Sequence, residues 1–146
     1  MRCLCWLFVA SFLWIPHAAP AQQEDKDSKA IRAVLDAQVA AWNKGDLVGF
    51  MKGYWKDESL SFFSGGTKTH GWKATLERYQ KKYQGEGKEM GKLSFKEVVI
   101  KMLGPEHALV RGGFHLQLKK DEAKGLFTLI FHRTPAGWRI IHDHTS

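Results

Sequence analysis

The sequence predicts an α+β domain in which a curved antiparallel sheet is wrapped around N-terminal helices. Two observations predict the order of elements. Up to about residue 84, apolar side chains recur at spacings of three and four, the helical period, apart from one short strand pair. From Lys92 onward the period is two, and every connection between apolar runs is a short turn, so the strands pair as an antiparallel meander. A third observation predicts curvature. The strands are long, which makes them twist and curl, and Gly112-Gly113 marks a bulge or sharp bend within one of them. A sheet curled around a long helix encloses a cone-shaped cavity.

The first 21 residues read as a segment apart. Met1-Arg2 supplies one positive charge, Cys3 to Ile15 is an apolar and small-residue run of 13, and Pro16 breaks it. Ala19-Pro20-Ala21 is a small-x-small cleavage pattern. This is the layout of a secretory signal peptide, and the apolar run falls short of the roughly 20 residues that span a bilayer. Cleavage after Ala21 leaves Gln22 to Ser146, 125 residues, which suits one domain. The expected compartment is secreted or periplasmic. Both cysteines, Cys3 and Cys5, belong to the removed segment, so the mature domain depends on its core rather than on disulfides.

Within 22–146, Gln22 to Asp27 reads as a polar, frayed tail and Ser28 as a helix N-cap. Ile31, Val34, Leu35, Gln38 and Trp42 form the helical stripe, which Gly45 ends. Asp46 caps a second helix, expected over Leu47 to Tyr54. A strand at Leu60 to Ser64 meets the hairpin signal Ser64-Gly65-Gly66-Thr67. After Gly71, Trp72, Leu76, Tyr79 and Tyr83 predict a third helix. Four strands follow, Leu93 to Leu103, His107 to Leu118, Leu126 to Arg133 and Trp138 to Ser146.

The formal charge of +7 falls to +6 without Arg2, and the basic residues are scattered, with small clusters at Lys81-Lys82 and Lys119-Lys120. No basic stripe interleaves with aromatics, so nucleic acid is not expected as a partner. No phosphate-cradling glycine loop, nucleophile-elbow serine motif or cysteine nucleophile is present, and no cofactor is implied.

The candidate chemistry lies on strands and aromatics. In a regular terminal strand Trp138, Ile140, His142 and His144 share one face, while Arg139, Ile141, Asp143 and Thr145 share the other. Two same-face histidines serve as base and orienting group, as metal ligands with His115 or His132 as a third, or as polar contacts at the sheet end and in a dimer. No metal is assigned. On the strand His107 to Leu118, Arg111 and His115 flank Gly113 on the face opposite the core, either solvated or as the polar wall of a pocket that pairs Arg111 with a carboxylate. Trp42, Tyr54, Trp55, Phe62, Trp72 and Tyr79 divide between core and cavity lining, and the hydroxyls of Tyr54 and Tyr79 need partners wherever they are buried.

Ala41-Trp42-Asn43-Lys44-Gly45-Asp46, the Leu60-Ser61-Phe62-Phe63 strand, Gly71 and the Trp138-x-Ile140-Ile141-His142-x-His144 ending together resemble the SnoaL-like, ketosteroid-isomerase-like branch of the nuclear transport factor 2-like superfamily. The ending is also similar to that of the calcium/calmodulin-dependent kinase II association domain. The resemblance spans the mature chain and implies a cone-shaped, cystatin-like α+β barrel with a central pocket, frequently homodimeric. It implies no single activity, because one fold hosts many. A ketosteroid-isomerase mechanism needs a carboxylate base near a phenol in an apolar site. Asp57 and Asp143 are the acidic candidates, but Asp57 lies in a charged turn and Asp143 reaches the histidine face only through a bulge.

The expected function is thus an exported protein whose pocket binds a small, mostly apolar ligand with a carboxylate or keto group, with proton-transfer chemistry open. His142, His144 and His115 are the catalytic candidates; Arg111, Tyr54, Tyr79, Trp42, Trp55 and Phe62 are the ligand-binding ones. The alternative is a non-catalytic association module that assembles through the outer sheet face.

Overall fold

The computed structural model describes residues 20–146. Residues 1–19, which hold most of the expected signal peptide and both cysteines, lie outside the described residues. Helix α1 spans Pro20–Asn43, so Gln22 to Asp27 is helical rather than frayed and Ser28 lies inside the helix instead of capping it. The reason is long-range. Asp27 is 3% exposed, pairs with Arg133, and accepts from the Trp138 indole at 3.4 Å and from Gln23 at 3.0 Å. These contacts fasten the first turns of the helix to the far end of the sheet, which a local reading of a polar segment does not reveal.

Ile31, Leu35, Gln38 and Trp42 form the buried stripe of α1. Gly45, at φ 78°, turns the chain, and Asp46 caps α2 (Leu47–Met51) by accepting from the Gly49 amide at 2.7 Å. The second helix ends earlier than its expected limit at Tyr54. Gly53 and Trp55 leave it to bond with the backbone of Ile140, at 2.9 and 2.8 Å, and this sheet-like pairing outcompetes another helical turn.

Strands β1 (Ser61–Ser64) and β2 (Thr67–His70) form the expected hairpin, with positive φ at both Gly65 and Gly66. Helix α3 covers Trp72–Tyr83. Strands β3 (Lys92–Met102), β4 (His107–Gln117), β5 (Glu122–Thr134) and β6 (Gly137–Thr145) complete a six-stranded sheet of order β2-β1-β6-β5-β4-β3. β3 to β6 are the antiparallel meander, and β1 joins β6 in parallel, so the sheet is mixed and unclosed, with β2 and β3 at its edges. The core, including Ile31, Leu35, Val110, Phe131 and Ile140, lies between α1 and the concave face.

The curvature has a different origin from the one expected at Gly112-Gly113. Those glycines pair with Phe127 and Leu126 without interruption. The bulge lies opposite them on β3, where Lys96 pairs with Gly113 but Val99 with Arg111, and Glu97 adopts φ 51°. Gly112 instead makes room for a ring: a Cβ there would sit 2.7 Å from Phe127 Cζ.

Candidate functional site

A second bulge organises the site. Phe131 pairs with Ile140 but Ile130 with His142, which leaves Ile141 as the extra residue of β6. Facing residues of antiparallel strands point the same way, so each pair assigns a face. Ile140 opposite Phe131, Asp143 opposite Leu129 and Thr145 opposite Phe127 point inward; His142 and His144, opposite Ile130 and Thr128, point outward. The single extra residue exchanges the faces expected for a regular strand, and puts the acid inside and the histidines outside.

Asp143 is 3% exposed and lines a cavity of about 120 Å³. At roughly 30 Å³ per water, that is space for about four water molecules. Trp42, Phe50, Phe62, Phe127, Leu129 and Ile140 provide apolar wall, and Gln38 and Thr145 add polar groups. Trp42 is held in place by its indole N–H, which donates to the Met90 carbonyl at 2.7 Å, and by edge-on contacts with Phe50 and Tyr83.

Both oxygens of the Asp143 carboxylate are engaged. The Tyr54 hydroxyl donates to Oδ2 at 2.7 Å and the Thr145 hydroxyl donates to Oδ1 at 2.7 Å. Burial pushes its pKa up to about 6, a rise that the Thr145 and Tyr54 hydrogen bonds and the nearby His144 hold in check. Burial, reinforced by the charge of Asp143, raises both Tyr54 and Tyr79 above the ordinary phenol value, so both stay protonated. Tyr79 stacks on Phe62 at 5.3 Å and neighbours Tyr54, which completes a phenol–phenol–carboxylate cluster.

The structure brings four of the sequence candidates together at this cavity: Trp42, Tyr54, Phe62 and Tyr79. The other five are elsewhere. Trp55 packs on His132 at 5.4 Å, Arg111 is exposed, and His115 pairs with Glu122 at 2.8 Å. His142 shares a 2.7 Å hydrogen bond with Ser61 and meets the Phe63 ring edge-on at 5.1 Å; His144 is exposed beside the same ring. Burial, and then the charge of His144, lowers the pKa of His142. Asp57 is exposed and caps the Ser59 amide at 2.8 Å.

Sequence reasoning missed Thr145, Arg78 and Lys82 as lining residues and placed Asp143 on the wrong face. A signal was present for Asp143: Ile140-Ile141 interrupts the alternation of the strand, as a bulge does. Among the described residues no three His, Cys, Asp or Glu side chains gather as a metal site would require, and no helix is long and apolar enough to cross a membrane.

An open curved sheet whose concave face, closed by helices, buries a phenol-bonded carboxylate defines a pocket domain of the nuclear transport factor 2-like fold. The sequence pattern of the SnoaL-like domain matches residues 31–146, and the chain belongs to that family. It is similar to a nuclear transport factor 2-like protein of unknown function from Shewanella oneidensis MR-1, at 38% identity over 82% of this chain and 98% of that one, with a TM-score of 0.77. The fold alone is shared with two more distant structures. A candidate calcium/calmodulin-dependent protein kinase type II association domain from Thiobacillus denitrificans is 21% identical over 79% of this chain and 92% of that one, TM-score 0.65. A candidate scytalone dehydratase from Novosphingobium aromaticivorans is 12% identical over 86% and 88%, TM-score 0.67. No curated protein matches the chain.

Proposed function

We propose that this domain binds a small, mostly apolar carbonyl compound and moves a proton on it, with Asp143 as the base. The observation that carries the reading is Asp143 itself, a carboxylate inside an aromatic cavity, bonded to a phenol and raised to a pKa of about 6. A base titrating near the working pH is both ionised and strong enough to accept a proton from carbon next to a carbonyl. In the proposed step the C–H bond breaks, its proton goes to Asp143, and the electron pair moves onto the carbonyl oxygen as an enolate. The protonated Tyr79 hydroxyl donates to that oxygen, while Tyr54 keeps its own proton on Asp143. Where the compound carries a β,γ double bond the enolate is a dienolate, and return of the proton from Asp143 to its γ carbon, with the double bond shifting into conjugation, completes an isomerisation. The outward histidines take no part.

The test is proton exchange in D2O. Wild-type protein is expected to catalyse deuterium uptake next to the carbonyl of an aryl ketone, and Asp143→Asn to lose it. Uptake that survives in Asp143→Asn overturns the reading.

Two further parts of the proposal concern assembly and location. Leu126 is 67% exposed on the outer face of β5, the face that carries Phe63 and His142, and this patch suits an isologous contact with a second copy. Sedimentation of a dimer that Leu126→Asp converts to monomer supports this; a wild-type monomer refutes it. Export rests on the Met1 to Ala21 pattern, and removal after Ala21 trims only two residues from α1 and spares Gln23 and Asp27. N-terminal sequencing of exported protein starting at Gln22 supports it; intact residues 1–21 on protein held in the cytoplasm refute it.

A further inference from the structure

The cavity is electrostatically divided along its depth. Among the described residues, Asp143 is the only acidic side chain that lines it, and it lies at the buried, hydrogen-bonded end. Arg78 and Lys82, four residues apart on α3, also line it, and Lys82 is solvent-exposed, which marks where the cavity reaches the surface.

Arg78 is held in a fixed position. It donates to the Ser64 carbonyl at 2.8 Å, the Thr69 hydroxyl at 2.9 Å and the Thr67 carbonyl at 3.4 Å, and its guanidinium lies 4.9 Å from the centre of the Phe62 ring. All three acceptors are neutral, so they satisfy the donors without cancelling the charge. Among the described residues, neither Arg78 nor Lys82 forms an ion pair. The Lys82 ammonium lies 5.1 Å from the centre of the Tyr83 ring. Two uncancelled cations therefore stand at the mouth of a cavity whose base is acidic.

We infer that the ligand is an apolar monocarboxylate with its carbonyl group at the opposite end, and that Arg78 and Lys82 select it. The inference rests on the proton-transfer reading for which end enters first, and adds the class of ligand. A carboxylate meets the rim cations and stays clear of Asp143, while the apolar body occupies the aromatic wall and the carbonyl end reaches Tyr79 and Asp143. A neutral ketone of the same shape gains the wall but not the rim. Arg111, exposed on the opposite face, has no access to this ligand.

The experiment compares 3-(4-acetylphenyl)propanoate, whose ketone and carboxylate lie at opposite ends of the ring, with its primary amide by titration calorimetry against the purified protein. The acid is expected to bind about tenfold more tightly, an advantage that added salt reduces, as for a partly exposed ion pair. Lys82→Gln, at an exposed position, is expected to cut the ratio about threefold, and Arg78→Gln to cut it further with unchanged circular dichroism. Equal affinity for acid and amide, a ratio that both variants leave intact, or binding of neither compound overturns the inference. Deuterium uptake into the bound ketone, read in parallel, separates the two claims. Acid preference without uptake refutes the base and keeps the rim; equal binding and uptake for acid and amide refute the rim alone.

Discussion

The Tyr54 hydroxyl donates to Asp143 across 2.7 Å and joins residues 89 positions apart. Two backbone decisions make that bond. Tyr54 leaves α2 to pair beside Ile140, and the extra residue Ile141 turns Asp143 inward next to it. A buried carboxylate is costly unless its oxygens are satisfied, and Tyr54 and Thr145 satisfy one each.

Asp143→Asn is expected to trade activity for stability. The folded-state pKa, about 6, lies above the ordinary carboxylate value of 3.8. A raised carboxyl pKa means that the folded state holds its proton longer than the unfolded chain does. The ionised group therefore weakens folding by an amount that is absent below the unfolded value, grows through the window between the two and is complete above the folded value. At about pH 8 the variant should be more stable than wild type by about 3 kcal/mol, and at about pH 3.5 the two should agree. Urea unfolding at both pH values checks this.

Tyr54→Phe removes a donor to the ionised form of Asp143. Loss of that hydrogen bond raises the carboxyl pKa further, since the bond favours the charged state. The acid limb of the deuterium-uptake profile should shift to higher pH by about one unit, while uptake on the alkaline side survives. An unshifted limb would show that Tyr54 does not tune the base.

His142→Ala tests the division of faces. The imidazole bonds to Ser61 on the outer face and lies outside the cavity lining, so deuterium uptake should stay within about twofold of wild type. A collapse of uptake in a folded variant would return the histidine to the site.

Asp27→Ala tests the fastening of α1. Burial raises the Asp27 pKa, but hydrogen bonds from Gln23, Arg133 and Trp138 outweigh it and hold the group below its ordinary value. A lowered carboxyl pKa stabilises the fold above the unfolded value of 3.8 and loses that contribution as pH falls through the folded one. At neutral pH the variant should lose about 2 kcal/mol, because it leaves Arg133 and the Trp138 indole without their acceptor. The gap from wild type should narrow in acid, which thermal unfolding across pH measures.

Periodicity alone carries most of the fold. The stripe Ile31, Leu35, Gln38, Trp42, the glycine hairpin and the alternation of β4 each report local geometry, and the structure follows them. Long-range exchange is what a linear reading lacks. The tie of Asp27 to Trp138 and Arg133 extends α1 backward through a polar segment, and pairing with Ile140 shortens α2. The site suffers most from one residue. With a period of two, a single bulge at Ile141 inverts every later face of β6, so the histidines and the acid exchange places. Tyr54 and Tyr79 were legible because a buried phenol requires a partner; Arg78 and Lys82 were hidden among ordinary surface cations until the cavity reached them.

The most direct test of the account is the titration of the Asp143 side-chain carboxyl, followed by carbon-13 NMR with Asp143→Asn as the assignment control. A midpoint near 6, in line with a buried carboxylate bonded to Tyr54 and Thr145, is the predicted result. A midpoint at or below the ordinary value of 3.8 would contradict it, and would leave the cavity without its base.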